Sequence, residues 1–268
     1  MIHFLSSLKL NARAWRAKNK TLFERFEILR RIASIVVPEY RFKWPQLLWW
    51  ENKSFFDYAK RYNEDQGNNL DRRWTVHQFL RLVEFIEGDT AEIGVYQGAM
   101  SHLILAANQG AKHHHLFDSF EGLSHPDGID GDHWHAGDLA CDEASVIHNL
   151  SRFKPNFTTH KGWVPDRFED ITHHQFCFVH IDVDIYQPTR DAIAFFYPRT
   201  NPGGIILCDD YGCTTCPGAT KACDDYLADK PEKMIALPDG GGFFIKGIRT
   251  GQPAQVGNDE KNEPPFPG

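Results

Sequence analysis

No stretch of this chain reaches about 18 consecutive apolar residues, which argues against a membrane-spanning helix. The N-terminus lacks a compact apolar run followed by a small-residue cleavage site, so a secretory signal is not expected. Cysteine is sparse: six in 268 residues do not make a disulfide framework, and a reducing, cytoplasmic setting fits them better. Cys213 and Cys216 have the C-x-x-C spacing, yet no second such pair or Cys/His cluster accompanies them, so structural thiols are the better reading than zinc. No G-x-G-x-x-G dinucleotide fingerprint occurs, which disfavours a nicotinamide-dependent oxidoreductase. No repeat with a period of 20–50 residues is visible either.

What is present is an ordinary globular composition, 41% apolar and 24% charged, enough for one large domain. The net charge of −7 is uneven. Residues 1–50 carry ten Lys/Arg and three acids, a balance of +7 that leaves −14 on the remainder. An acidic body of this kind excludes nucleic acid as the main substrate. The basic segment, with Trp44, Trp49 and Trp50 behind it, reads as helical over Leu22 to Val37. It can pack on the main domain, mediate a homo-oligomer, or make a peripheral contact with an anionic membrane. The organisation expected is a helical basic extension over 1–70, a main domain over 71–247, and a polar tail over 248–268.

Within the main domain, short apolar strands alternate with helical segments. A helix is expected over Thr75 to Glu87, with Phe79, Leu80, Leu82, Val83 and Phe85 forming a broad apolar face. Strands are expected over Thr90–Val95, His113–Phe117, Phe157–His160, Phe176–Ile181 and Ile205–Cys208, the last entered through Pro202-Gly203-Gly204. Met234–Leu237 and Phe243–Lys246 read as a closing antiparallel hairpin. This pattern is α/β: a Rossmann-like, mainly parallel sheet with helices on both faces. In such sheets ligands sit at the carboxyl ends of the strands, where strand order switches.

The residues at those ends carry the chemistry. Strand one ends in Glu92-Ile93-Gly94-Val95-Tyr96-Gln97-Gly98, a G-x-x-x-G turn into a helix that can admit a ligand closely or be a simple tight turn. Asp118 closes strand two and can accept hydrogen bonds from a ribose, or cap a turn. Strand four ends in His180-Ile181-Asp182-Val183-Asp184, and strand five in Cys208-Asp209-Asp210. Adjacent ends would gather Asp182, Asp209 and Asp210, whose mutual repulsion calls for a cation or a proton. Oxygen donors of this kind favour Mg²⁺, with Mn²⁺ or Ca²⁺ as alternatives. Asp184 ranks below Asp182 because it lies further past the strand end. His113-His114-His115 receives no role.

The pieces EIGVYQG, FDSFEGL, HKGWVPD, HIDVDIYQPT, FYPRTNPGGIILCDDYG and PGATKACDDY resemble the macrocin O-methyltransferase family (the TylF/MycF/NovP type), over roughly residues 70–247. The resemblance implies a class I methyltransferase fold and methyl transfer from S-adenosylmethionine to a sugar hydroxyl on a natural product or surface glycan. It implies cofactor contacts at Glu92, Gly94, Gly98, Asp118 and Ser119, with backbone contacts near Gly162 and Trp163. It also implies metal ligation by Asp182, Asp209 and Asp210. Asp182 either joins the metal or acts as general base; His135, or His133, in the loop resembling the family's lid is the alternative base. A binding or assembly protein on the same fold is the competing reading, since fold alone does not fix function.

Overall fold

The computed structural model describes residues 28–29, 31–33, 35, 48–62 and 70–251. Most of the basic extension, Trp44 and the tail beyond 251 lie outside the described residues. The chain divides into two compact units, Met1–Tyr58 and Ala59–Gly268. In the first, the 3-10 turn Leu48–Glu51 leads into helix α1 (Lys53–Arg61), whose residues from Ala59 onward belong to the second. Within the first unit the Trp49 ring stacks on Phe56 at 6.2 Å and meets Phe55 edge-on.

The second unit continues with α2 (Leu70–Leu82). Its buried stripe is Val76, Phe79, Leu80 and Val83, the i, i+3, i+4, i+7 face of a helix. Leu82 and Phe85 fall off that stripe and are exposed, so the apolar face is narrower than the sequence suggests. Then come β1 (Asp89–Ile93), α3 (Ala99–Asn108), β2 (His114–Asp118), α4 (Glu143–Asn149), β3 (Phe157–Lys161) and β4 (Phe176–Ile181). After these follow α5 (Tyr186–Phe196), β5 (Thr200–Cys208), α6 (Pro217–Leu227), β6 (Ile235–Ala236) and β7 (Gly242–Ile245).

The seven strands form one sheet in the order β3-β2-β1-β4-β5-β7-β6. The first five are parallel, and β7 is antiparallel to both β5 and β6. This is the mainly parallel sheet with a closing hairpin that the sequence pattern predicts. Strand β5 begins five residues earlier than expected. Its pairing to β4 jumps from Thr200 opposite Phe176 to Ile205 opposite Phe178, so Pro202-Gly203-Gly204 is absorbed as a bulge within the strand.

Strand β4 is buried throughout, as a central parallel strand covered on both faces must be. The core on one side gathers Phe117, Phe168, Phe176 and Phe196, whose rings meet edge to face at 5.0–6.2 Å. The order of strands reverses at β1, with β2 and β3 laid to one side and β4 and β5 to the other, and the crevice between the carboxyl ends of β1 and β4 is the switch point at which such sheets bind ligands.

Candidate active site at the strand ends

A cleft of about 250 Å³ opens at the carboxyl ends of β1, β2 and β4. Glu92, Gly94, Asp118, Ser119, Gly162, Trp163 and Asp182 all line it. Gly98, Asp209, Asp210 and His135 are not among its lining residues.

Gly94, just past the end of β1, lies close against the chain that leaves β4. It has φ +86°, and a Cβ there would stand 1.8 Å from the Asp182 carbonyl oxygen, so no other residue fits. Gly98 (φ +81°) instead sets the left-handed entry into α3. Asp118 braces this turn from β2. Its Oδ2 accepts the Val95 and Tyr96 N–H groups at 2.8 and 3.0 Å, and its Oδ1 accepts the Phe120 N–H at 2.7 Å. The Ser119 hydroxyl is likewise engaged, donating to the Gly122 carbonyl and accepting from the Glu121 N–H. Both residues thus shape the cleft wall with their own turns, while Trp163 stays 41% exposed at its lip.

Glu92 is buried beneath the cleft and is the first member of a charged row across the sheet. It accepts the Ser101 hydroxyl and lies 3.5 Å from His180 Nδ1 and 3.7 Å from His114 Nε2. His180 Nε2 is in turn 3.5 Å from Asp209 Oδ1, and Arg72 pairs with Asp209 Oδ2 at 2.8 Å. Burial alone would discharge the His180 imidazole, but the flanking Asp209 and Glu92 carboxylates push its pKa up to about 10. Burial would likewise raise Glu92, yet its histidine neighbours hold it at about 2. The row therefore carries an imidazolium clamped between two carboxylates.

Beyond this row the acids outnumber the cations. Burial and then repulsion from Asp209 and Asp210 raise Asp182 well above the ordinary carboxylate range. Burial and repulsion from Asp184 and Asp209 take Asp210 to about 8, and burial with repulsion from Asp182 takes Asp184 to about 7. Asp209 alone is pulled down, by His180 and Arg72 against its burial. Asp182, Asp209 and His180 bring ligand-type atoms within 4.8 Å of one another, as do Asp184, Asp210 and Cys216. The three acids expected to ligate together are thus divided, Asp182 and Asp209 in one set and Asp210 in the other, though crowded, buried carboxylates of this kind remain donors that suit a hard divalent cation.

Asp184, ranked low on sequence, is thus buried inside the cluster. Its φ of +63°, unusual for a residue other than glycine, turns its N–H onto Asp210 Oδ2 at 2.9 Å. His180 and Arg72 receive no role from the sequence, and the signal that points to them is the question of which charges balance the strand-end acids.

The long loop after β2 is fastened over this cluster. Asp130 Oδ1 accepts the Tyr186 N–H at 2.7 Å at the start of α5, and the Trp134 indole N–H donates to Cys216 Sγ at 3.3 Å. Cys216 Sγ lies 3.5 Å from Asp184 Oδ1, and all six cysteines are free thiols. His133 packs edge-on against Trp134, whereas His135 is exposed and 3.6 Å from Asp138.

Comparison with known proteins gives this arrangement a context. A calicheamicin methyltransferase, CalS11, superposes with a TM-score of 0.63 at 17% identity, covering 87% of this chain and 96% of that one. That likeness shows the class I methyltransferase fold. The O-methyltransferase NovP superposes with a TM-score of 0.54 at 25% identity, over 66% of this chain and 80% of that one. A tetracenomycin-glycoside 4'-O-methyltransferase from Streptomyces olivaceus is 29% identical over 200 residues, 65% of this chain and 73% of that protein. Mycinamicin III 3''-O-methyltransferase from Micromonospora griseorubida is 28% identical over 56% of this chain and 63% of its own length. The sequence signature described as Macrocin-O-methyltransferase (TylF) matches residues 73–238. That span takes in β1 to β6 and every acid of the cluster: the chain belongs to the macrocin-O-methyltransferase (TylF) family and is an S-adenosylmethionine-dependent O-methyltransferase.

Proposed function

We propose that this enzyme methylates a sugar hydroxyl of a glycosylated small molecule or surface glycan, with a divalent cation held beside the cleft. The observation that carries this reading is the meeting of cleft and acid cluster at Asp182, which belongs to both. The named relatives that act on rhamnosyl-tetracenomycin and mycinamicin support the acceptor class.

Methyl transfer to oxygen is an in-line displacement, and an aliphatic hydroxyl attacks only as its proton departs. Asp209 and Asp210 would anchor the cation, whose charge would acidify a bound hydroxyl. Asp182, which lines the cleft, either joins them or accepts the acceptor's proton as the sulfonium S–CH3 bond breaks and the new O–CH3 bond forms. It is favoured over His135, which stands outside the cleft lining. Asp209 is kept ionised by Arg72 and His180, and Asp210 is aimed by the Asp184 N–H. Glu92, the turn at Gly94 and the lip at Gly162 and Trp163 form the cofactor side of the cleft. Gly98 starts the helix behind it, and Asp118 and Ser119 hold the loop in shape.

Incubating the protein with candidate glycosides, S-adenosylmethionine and Mg²⁺ should add one methyl group, read by mass spectrometry. Asp210→Asn should lower turnover about 100-fold or more while S-adenosylmethionine affinity stays within a few-fold. Full activity in excess chelator would remove the cation from this proposal.

A further inference from the structure

Three histidines that the methyl-transfer site leaves unused, His115, His160 and His174, gather around Asp89 at the amino end of β1. Asp89 opens β1, His115 is the second residue of β2, His160 lies in β3, and His174 stands just before β4. Asp89 Oδ2 is 2.8 Å from His174 Nδ1 and 3.3 Å from His115 Nε2, and all three ligand-type atoms fall within 4.8 Å of one another. Tetrahedral Zn²⁺ with bonds of about 2.0–2.1 Å holds its ligand atoms about 3.3 Å apart. Two of the three edges of such a site are therefore nearly in place already. Asp89 Oδ1 accepts the His113 N–H at 3.2 Å, which leaves Oδ2 facing the imidazoles. Asp89 and His174 are only partly buried, so water can fill a fourth position.

A relay of side chains stands behind His115. Asp170 Oδ2 lies 3.1 Å from His160 Nδ1, His160 Nε2 lies 3.1 Å from His115 Nδ1, and His115 Nε2 faces Asp89. In the tautomer with protons on His160 Nδ1 and His115 Nδ1, this relay presents the His115 Nε2 lone pair toward Asp89 and His174. Carboxylate–histidine pairs behind metal ligands fix the tautomer and orient the ring in this way.

We propose that Asp89, His115 and His174 bind a Zn²⁺-class transition-metal ion, with His160 and Asp170 orienting His115 from behind. Two imidazoles and one carboxylate select Zn²⁺, Co²⁺ or Ni²⁺ over Mg²⁺. The site lies at the amino ends of the strands, about 16 Å along β1 from Gly94, so it is separate from the carboxylate cluster. It would clamp β1, β2 and the entry to β4, and this assignment does not depend on the identity of the methyl acceptor.

The full-length protein, stripped with chelator and dialysed into excess Mg²⁺ to occupy the carboxylates, is titrated with ZnCl₂ by calorimetry. His174→Ala is the main variant because its partly exposed side chain can be removed without opening the core, and unchanged metal-free melting confirms the fold. His125→Ala, on an exposed loop, is the control. The expected result is a single tight step in the wild type and control, weakened about 100-fold or more in His174→Ala and about 10- to 100-fold in His160→Gln. Co²⁺ should give the intense visible absorption of a tetrahedral nitrogen/oxygen site in the wild type and lose it in His174→Ala. Zinc binding no tighter than millimolar, or equal affinity in His174→Ala, would overturn the assignment.

Discussion

The two ends of this sheet solve the problem of buried charge in opposite ways. At the carboxyl ends, Glu92, Asp182, Asp184, Asp209 and Asp210 face His180 and Arg72, and the surplus of acid raises three of the carboxyl pKa values. At the amino ends, His115, His160 and His174 surround Asp89, and imidazoles are the surplus. The difference lies in the donors and not in the scaffold, since β1 contributes Asp89 to one end and Glu92 and Gly94 to the other. One end offers hard oxygen donors beside an open cleft; the other offers nitrogen donors locked by a hydrogen-bonded chain. A fold that reads chemistry only at its strand tips leaves its amino ends free to be built for stability.

The sharpest way to break this comparison is through the glycines flanking β1. Gly94→Ala puts a methyl group 1.8 Å from the Asp182 carbonyl, which must force β1 and β4 apart where the cleft opens. A loss of about 4 kcal/mol in urea unfolding is expected, together with S-adenosylmethionine binding. Gly88→Ala, at the other end, sits at φ +115° and meets the Gln175 carbonyl at 2.8 Å and the Phe176 carbonyl carbon at 2.9 Å, so it too is destabilising. It lies away from the cleft and should leave the cofactor affinity of the folded protein unchanged. Equal loss of cofactor binding in both variants would mean that the two ends do not act separately.

A smaller effect is expected from acid titration of the charged row. Glu92 has its pKa held at about 2 against an ordinary value of 4.5 because its histidine neighbours outweigh its burial. Below pH 4.5 the unfolded chain takes up the proton first, so Glu92's contribution is complete above that pH and fades as the pH falls through about 2. The contribution is about 3 kcal/mol for a fully buried group. Glu92→Gln should therefore flatten the acid limb of a stability–pH curve between about pH 4.5 and 2. An unchanged slope would show that the His180 clamp does not hold that carboxylate. Asp89, also pulled down to about 2, should keep the remaining acid dependence in that variant.

Most of the fold was legible because parallel strands announce themselves as short apolar runs at regular intervals, and the order of motifs placed the cleft. Gly94 and Asp182 could be read from strand-end position alone, and the structure puts both at the cleft. Asp184 ranks below Asp182 by its distance past the strand end, and the sequence gives no sign that the chain turns there to φ +63° and brings it back against Asp210. His180 receives no role from the sequence for another reason. A histidine inside an apolar strand looks like a filler residue until the partner strands are known, and the register that sets Glu92 against His180 is tertiary information. Asp118 shows the limit from the other side, since its position predicts a ribose contact while its oxygens also tie down the turn.

Arg167 is the residue that touches both regions, and it offers the finest test. Its side chain runs beneath Gly162 at the cleft lip, where a Cβ would meet Arg167 Cδ at 2.9 Å, and its guanidinium pairs with Asp170 at 2.5 Å behind His160. The pair is exposed, and such surface ion pairs contribute about 0–1 kcal/mol. Arg167→Ala should lower stability by less than about 1 kcal/mol in urea. It should also change S-adenosylmethionine affinity by less than about threefold, because Gly162 reaches the cleft through its own backbone and not through this side chain. Zinc affinity should rise slightly if it moves, since Asp170 without its cation is a stronger acceptor for the His160 N–H and makes His115 a better donor to the metal. A large fall in both affinities would show that Arg167 transmits strain from one end of the sheet to the other, and the two sites would then have to be treated as one coupled unit.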